Sequence, residues 1–377
     1  MINGYSTGKN SKVSIITVVL NGVKTIEKAI ESVLVQSYKN IEYIIVDGMS
    51  TDGTDAIVSK YIDRISRYIC EKDSGIYDAM NKGIRHATGD IIGILNADDW
   101  YEKETVEEAV SCFVNNPEAM VVAGRSRQHD ADGRTTISNI FPMDVVWKHM
   151  PFPHPASFVR KEIYDKYGVY DTSFRICADY DFVFRIYVNN VKVVMADSVW
   201  VNFSLGGAST SDHIRTAQES NRIRSKYGEL YPDLIDKCEL KHTCDRELNY
   251  SYLLESIYRR KDLLVDLLNS LFPEGVSIYG FGIWGRMIVD FCLNNEIKVH
   301  GIYDRRNDLW ETRYRSIRIT DPEEIKNGQV QILLIAILYD GPDIADRIMM
   351  NSGVRCVNLD DLSNKIKDLM NSGPEDV

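Results

Sequence analysis

Asp98 and Asp99 follow an apolar run, Ile91 to Leu95, that reads as a buried strand closing on Asn96 and Ala97. Ligands of open α/β sheets bind beyond the carboxyl ends of the strands, so two carboxylates there suit a cation or a phosphate. They also suit the cap of a helix opening near Lys103, with Glu102 and Glu104 in its first turn, and the residues alone leave both readings open. Asp47 closes a second apolar run, Ile41 to Val46. There it can accept hydrogen bonds from a uracil or ribose, or close an Asx turn. Thr17 and Asn21, at the end of a first such run, would lie along the same edge. In EKDSGIYDAMNKG, Asp78 and Lys82 share a helix face just after Asp73, where they pair with each other or leave Lys82 to reach a phosphate.

The elements that must position these groups repeat as strand, turn and helix. Val13 to Leu20 is rich in β-branched residues and precedes a helical pattern in Ile26, Ile30, Val33 and Leu34. Ile41 to Val46 precedes a helix through Ile57 and Tyr61, Arg67 to Glu71 a helix from Ile76 to His86, and Ile91 to Leu95 forms the fourth strand. Such repetition predicts a largely parallel sheet in a nucleotide-binding α/β half.

A chain of 377 residues, 44% hydrophobic and 26% charged, should fold throughout as two or three domains. Its net charge of −11 argues against nucleic acid as a partner, since phosphate backbones are held by clustered Lys and Arg. The longest apolar run, Ile332 to Tyr339, is far short of the roughly 18 residues of a membrane span. The N-terminus, MINGYSTGKNSK, does not resemble a signal peptide, and seven cysteines without CxxC pairs suit reduced thiols, so a cytoplasmic location is expected. Cys238, His242 and Cys244 lack the second ligand pair of a zinc finger.

The ordered blocks SIITVVLNG, YIIVDGMSTDGT, EKDSGIYDAMNKGIRHATGD and ILNADD resemble the nucleotide-sugar half of the family-two glycosyltransferases of GT-A fold. The resemblance extends more loosely through ADYDFVFR to about Asp212. It implies a nucleotide-sugar donor touched by Thr17, Asn21, Asp47, Asp73, Lys82 and Asp98, and a divalent cation, Mg²⁺ or Mn²⁺, on Asp98 and Asp99. Such a cation stabilises a departing diphosphate, and carboxylate oxygens are its natural ligands. The family's metal motif is commonly DxD; here NADD puts Asn96 at the first acidic position. By the same resemblance Asp179, followed by Phe182 and Arg185, aligns with the catalytic base, and Asp181 is the runner-up. A base is needed because an acceptor hydroxyl is a poor nucleophile until its proton is taken. A helix cap is the plainer role for the same acid.

His154 stands among prolines as a turn residue or part of the acceptor pocket, and the Gly/Ser-rich stretch Asn202 to Asp212 reads as a donor loop or a linker. Beyond it, an apolar stripe of Leu253, Leu254, Ile257, Leu264, Leu267 and Leu268, interrupted by Arg259, Arg260 and Lys261, suits packing against a neighbouring domain or lying on a membrane. Val276 to Gly285 places GxGxxG between strand and helix, with Asp304 ending the next strand where a ribose-binding acid is expected. The expected organisation is α/β throughout: a GT-A domain over 1–212, a helical connector over 213–271 and a small Rossmann-like domain over 272–377. The expected function is inverting transfer from a nucleotide sugar, UDP-linked, to a saccharide or lipid-linked saccharide acceptor in surface polysaccharide synthesis, in the cytoplasm or at the inner face of the membrane. Transfer to a polyprenyl phosphate and an NAD(P)-dependent oxidoreductase or epimerase are the alternatives. The oligomeric state is not legible.

Overall fold

The computed structural model describes residues 10–130, 133–205, 212–310, 312–327, 330–337 and 341–372. They divide into two compact units, Met1–Ser211 with Glu219–Leu240, and Asp212–Gln218 with Lys241–Val377.

The first unit opens with β1 (Val13–Val19), α1 (Ile26–Leu34), β2 (Ile41–Asp47), α2 (Thr54–Ser59), β3 (Arg67–Cys70), α3 (Ile76–His86) and β4 (Ile91–Asn96). It continues through β5 (Trp100–Tyr101), α4 (Thr105–Asn115), β6 (Val121–His129), β7 (Thr135–Ile137), β8 (Ser157–Arg160), α5 (Lys161–Tyr167), α6 (Ala178–Val188) and β9 (Val193–Ser204). The sheet runs β3-β2-β1-β4-β8-β6-β9-β5, with β7 on β6. Its first four strands are parallel, as the strand-and-helix repeat predicts, because each helix must return the chain to the same edge. The other half departs from that expectation. There β8 runs antiparallel to β4 and β6, and β5 antiparallel to β9.

Apolar side chains cover both faces of this sheet. Ile26, Ile30 and Val33 of α1 join Val106, Val110 and Phe113 of α4 on one face; Tyr77, Met80 and Ile84 of α3 join Phe182, Val183, Phe184 and Ile186 of α6 on the other. Strands β1, β2 and β4 are therefore buried on both sides, which is why they read as unbroken apolar runs, whereas β3 at the sheet edge is part-exposed. Register aligns their ends: Val19 lies opposite Asp47, and Val18 opposite Asn96. The acids after each strand thus share one edge.

Three helices follow, α7 (His213–Leu230), α8 (Lys237–Tyr258) and α9 (Lys261–Leu271). The apolar stripe seen in the sequence is split between α8 and α9. Leu253, Ile257, Leu264 and Leu268 are buried with Val276, Ile278 and Ile288 in the core of the second unit, while Arg259, Arg260 and Lys261 are exposed at the break. This stripe is core, not a membrane face. Among the described residues no helix is long and apolar enough to cross a membrane.

The second unit also holds β10 (Val276–Tyr279), α10 (Ile283–Asn294), β11 (Val299–Tyr303), β12 (Arg313–Tyr314), β13 (Ile317–Thr320), β14 (Ile332–Ile335), α11 (Gly341–Ser352), β15 (Arg355–Asn358) and α12 (Leu359–Asn371). Its sheet runs β12-β13-β11-β10-β14-β15, parallel except for β12. A Cβ on Gly285 would stand 1.9 Å from the Gly280 carbonyl oxygen, so the last fingerprint glycine serves close packing of α10 on the loop after β10. Asp304 does not await a ribose. It is buried, and its carboxylate accepts the Phe281 N–H at 2.6 Å and the Arg306 N–H and Nε at 2.9 Å each. Burial pushes that carboxyl up, but these donors outweigh it and hold it below the usual range. The acid expected for a dinucleotide already has a full set of internal partners.

Candidate active site

The loops after β1 and β2 fasten to each other. Asn21, at φ +56°, donates its N–H to Ser50 Oγ at 2.8 Å and accepts the Thr51 N–H at 2.9 Å. Asp52 accepts the Val23 N–H at 3.0 Å. Asn21 is exposed at the edge, where the sequence put it.

Thr17 and Asp47 are not exposed. Thr17 points into the sheet, where its hydroxyl accepts the Tyr43 hydroxyl at 3.1 Å. Asp47 is fully buried, with the Ser50 N–H at 2.7 Å on one oxygen and the Tyr68 hydroxyl at 2.9 Å on the other. Both belong to the support beneath the edge. The Asx-type turn, one of the two readings open for Asp47, is what the coordinates show. The carboxylate that does face this edge is Asp73, whose Oδ1 accepts the Gly75 N–H at 3.0 Å and whose Oδ2 lies 2.3 Å from where a Cβ on Gly48 would sit. A glycine at 48 therefore gives Asp73 the space at the end of β2 that a side chain there would fill. Lys82 does not extend toward a phosphate: its ammonium donates to the Lys72 carbonyl at 2.6 Å and pairs with Glu71 at 3.1 Å and Asp78 at 3.7 Å, anchoring the segment that carries Asp73.

After β4 the two acids separate in environment. Neither caps a helix, since α4 begins at Thr105 with Glu104 at its N-cap. Asp99 is 1% exposed and accepts the Ser204 N–H at 3.0 Å and the Asn96 amide at 3.3 Å. Asp98 is half-buried, its carbonyl accepts the Ser204 hydroxyl at 2.6 Å, and among the described residues no other residue donates to its carboxylate. Burial raises the Asp98 carboxyl above its usual range; burial and then the charge of Asp98 raise Asp99 further. Ser204, which the sequence did not single out, thus latches the end of β9 onto this loop. Most of the Gly/Ser-rich stretch that follows, residues 206–211, lies outside the described residues, as do the side chains of Cys238 and His242. Among the described residues no three His, Cys, Asp or Glu side chains form a metal-binding group. Asp98 keeps a part-exposed carboxylate at this edge, and Asp99 is buried behind it.

Asp179 sits in the first turn of α6, part-exposed, with Oδ1 accepting the Tyr77 hydroxyl and the Tyr180 N–H at 2.9 Å each. Asp181, two residues on, is 1% exposed and held by Lys226 at 2.8 Å, Arg185 at 3.1 Å and the Tyr227 hydroxyl at 3.2 Å. Its charge is structural. His154 is no isolated turn residue: Nε2 meets the Tyr170 hydroxyl at 2.7 Å, and burial lowers its basicity against the opposing pull of Asp179.

The start of α6 is held from elsewhere in the chain. Glu219 of α7 accepts the N–H groups of Arg175 at 2.9 Å, Ile176 at 2.9 Å and Cys177 at 3.0 Å, replacing a local cap. Nothing in the sequence marks Glu219, because its partners are main-chain groups of a distant turn. An amide has one oxygen for these three donors and no charge for the helix N-terminus, so Glu219→Gln should destabilise the unit by about 1–2 kcal/mol. Urea unfolding followed by circular dichroism reads this directly. An unchanged midpoint would show that the cap contributes nothing.

Comparison with known proteins places the chain among glycosyltransferases. A family model described as glycosyl transferase family 2 matches residues 14–177. An uncharacterized glycosyltransferase of Mycobacterium tuberculosis is 32% identical over 187 residues, covering 46% of this chain and 68% of that protein. A PGL/p-HBAD biosynthesis glycosyltransferase of Mycobacterium bovis is 29% identical over 184 residues, covering 48% of this chain and 71% of its own. Among solved structures, a mannosyltransferase from Pyrobaculum calidifontis in complex with GDP-Man and Mn²⁺ superposes with a TM-score of 0.52 at 18% identity, over 77% of this chain and 88% of that one. At that identity the likeness is one of fold.

Proposed function

Because this chain belongs to glycosyl transferase family 2, we propose that it moves a sugar from a nucleoside diphosphate donor, UDP-linked, to a saccharide or lipid-linked saccharide acceptor, inverting the anomeric centre. The observation that carries the reading is the division of carboxylates. Asp47, Asp99 and Asp181 are buried and hydrogen-bonded, whereas Asp73, Asp98 and Asp179 each keep an oxygen without a partner among the described residues. Asp73 would accept from the nucleobase or ribose, and Asn21 would border the same edge.

Asp98 fits a divalent cation, Mg²⁺ or Mn²⁺, because a half-buried carboxylate to which no other described residue donates gains from a positive charge; hard cations commonly take one or two carboxylates and complete their shell with phosphate and water. Bound there, such a cation would neutralise charge on the departing diphosphate. Asp99 holds the loop through Ser204 and Asn96 so that Asp98 stays at the edge. Asp179 takes the acceptor proton as the acceptor oxygen bonds to the anomeric carbon. The bond from that carbon to the diphosphate breaks, and its electron pair leaves with the diphosphate.

Release of free nucleotide from a panel of UDP-, GDP- and dTDP-sugars, with Mn²⁺ present and then chelated, tests the reading. Release from a UDP-sugar that depends on Mn²⁺ is expected. Release from none of the panel would refute a nucleotide-sugar donor, and equal release in chelator would refute the cation.

A further inference from the structure

Asp179 is oriented by a side chain from the donor half of the same unit, and we propose that Tyr77 is the positioning residue that aims it and accommodates its change of charge. The inference rests on Asp179 being the base. Tyr77 lies in α3, shortly after Asp73, and its ring is buried against Tyr170 with centroids 5.5 Å apart. Its hydroxyl meets two acceptors, Asp179 Oδ1 at 2.9 Å and the Ile176 carbonyl. Burial and then the charge of Asp179 raise the phenol well above its ordinary value, so it remains a donor throughout turnover.

One proton facing two acceptors has a consequence for catalysis. While Asp179 is ionised, the hydroxyl donates to Oδ1, a charge-assisted bond, and Oδ2 is left to face the acceptor. When the acceptor proton arrives on Oδ2, Oδ1 becomes the weaker acceptor of a neutral acid. Tyr77 then donates to the Ile176 carbonyl, so no buried donor is stranded. That carbonyl is fixed because Glu219 holds the N–H groups of Arg175, Ile176 and Cys177. Tyr77 keeps its own proton, and the only proton transferred is the acceptor's.

The test uses the full chain, Mn²⁺ and the donor of the panel that turns over fastest, with water as acceptor and nucleotide release as the signal. Tyr77→Phe should lower kcat at least tenfold and move the acid limb of the pH–rate profile up, since the carboxylate loses a donor that favours its charged form. The affinity for the nucleoside diphosphate should not change. Replacing Tyr77 with 3,5-difluorotyrosine keeps the shape and strengthens the donor, so the limb should move down, an outcome that packing alone does not produce. An unmoved acid limb in both proteins overturns the role of Tyr77. If Asp179→Asn itself releases nucleotide at the parent rate, the base assignment has failed instead.

Discussion

Asp98→Asn should lower nucleotide release by about a hundredfold or more at saturating donor, because it removes the carboxylate proposed to hold a cation whose charge stabilisation is worth several kcal/mol. The parent protein should show the same site through pH. Burial raises both the Asp98 and Asp99 carboxyls, so protons compete with Mn²⁺ as pH falls, and calorimetry should find progressively weaker binding toward acid pH, with proton release on binding. The stability of the cation-free protein has a matching sign. A carboxyl whose folded value is raised favours the fold below its ordinary, unfolded value and loses that contribution as pH rises through the folded value.

Asp99→Asn should therefore raise the melting temperature of the cation-free protein at neutral pH. The new amide oxygen can keep the Ser204 N–H, and its NH₂ meets Asn96, whose buried Oδ1 has no partner among the described residues and can be turned toward it. A drop in melting temperature would show that the Asp99 charge stabilises this loop rather than straining it. For Asp98→Asn, undiminished release and unchanged Mn²⁺ affinity would remove the cation from Asp98.

Asp179→Asn should lose kcat by about 10²–10⁴-fold while binding the nucleoside diphosphate as the parent does, because a base acts on the acceptor proton and not on the nucleotide. Asp181→Asn should fail differently. It leaves Lys226 and Arg185 without the carboxylate they pair with, which costs about 1–3 kcal/mol of stability, since both head groups still reach water. Measuring kcat, nucleotide affinity and unfolding midpoint on both proteins separates the two roles. Transfer by Asp179→Asn at the parent rate, with Asp181→Asn folded but inactive, would exchange them.

The parallel half of the sheet was legible because its strands are buried on both faces, so β1, β2 and β4 are continuous apolar runs that stop at a polar edge. Helix α3 was readable end to end, as its apolar residues recur at helical spacing between Gly75 and Ala87. The rest of the sheet was not. Strand β6 mixes buried and half-buried positions and β9 adds exposed ones, and their parallel pairing joins segments whose separation along the chain carries no local signal. At the site, the sequence determined which residues carry carboxylates and that several gather at one edge. Tertiary structure decided which polar groups are already taken: Thr17 by Tyr43, Asp47 by Tyr68 and Ser50, Asp99 by Ser204, Lys82 by Glu71 and the Lys72 carbonyl, and Asp181 by Lys226 and Arg185. It also brought Tyr77 of α3 to Asp179, and Glu219 of α7 to the start of α6. A residue's type fixes the hydrogen bonds it can make, but a buried donor or acceptor must be satisfied by whatever the fold places beside it, and that partner is set by packing across the whole unit rather than by neighbours in the chain.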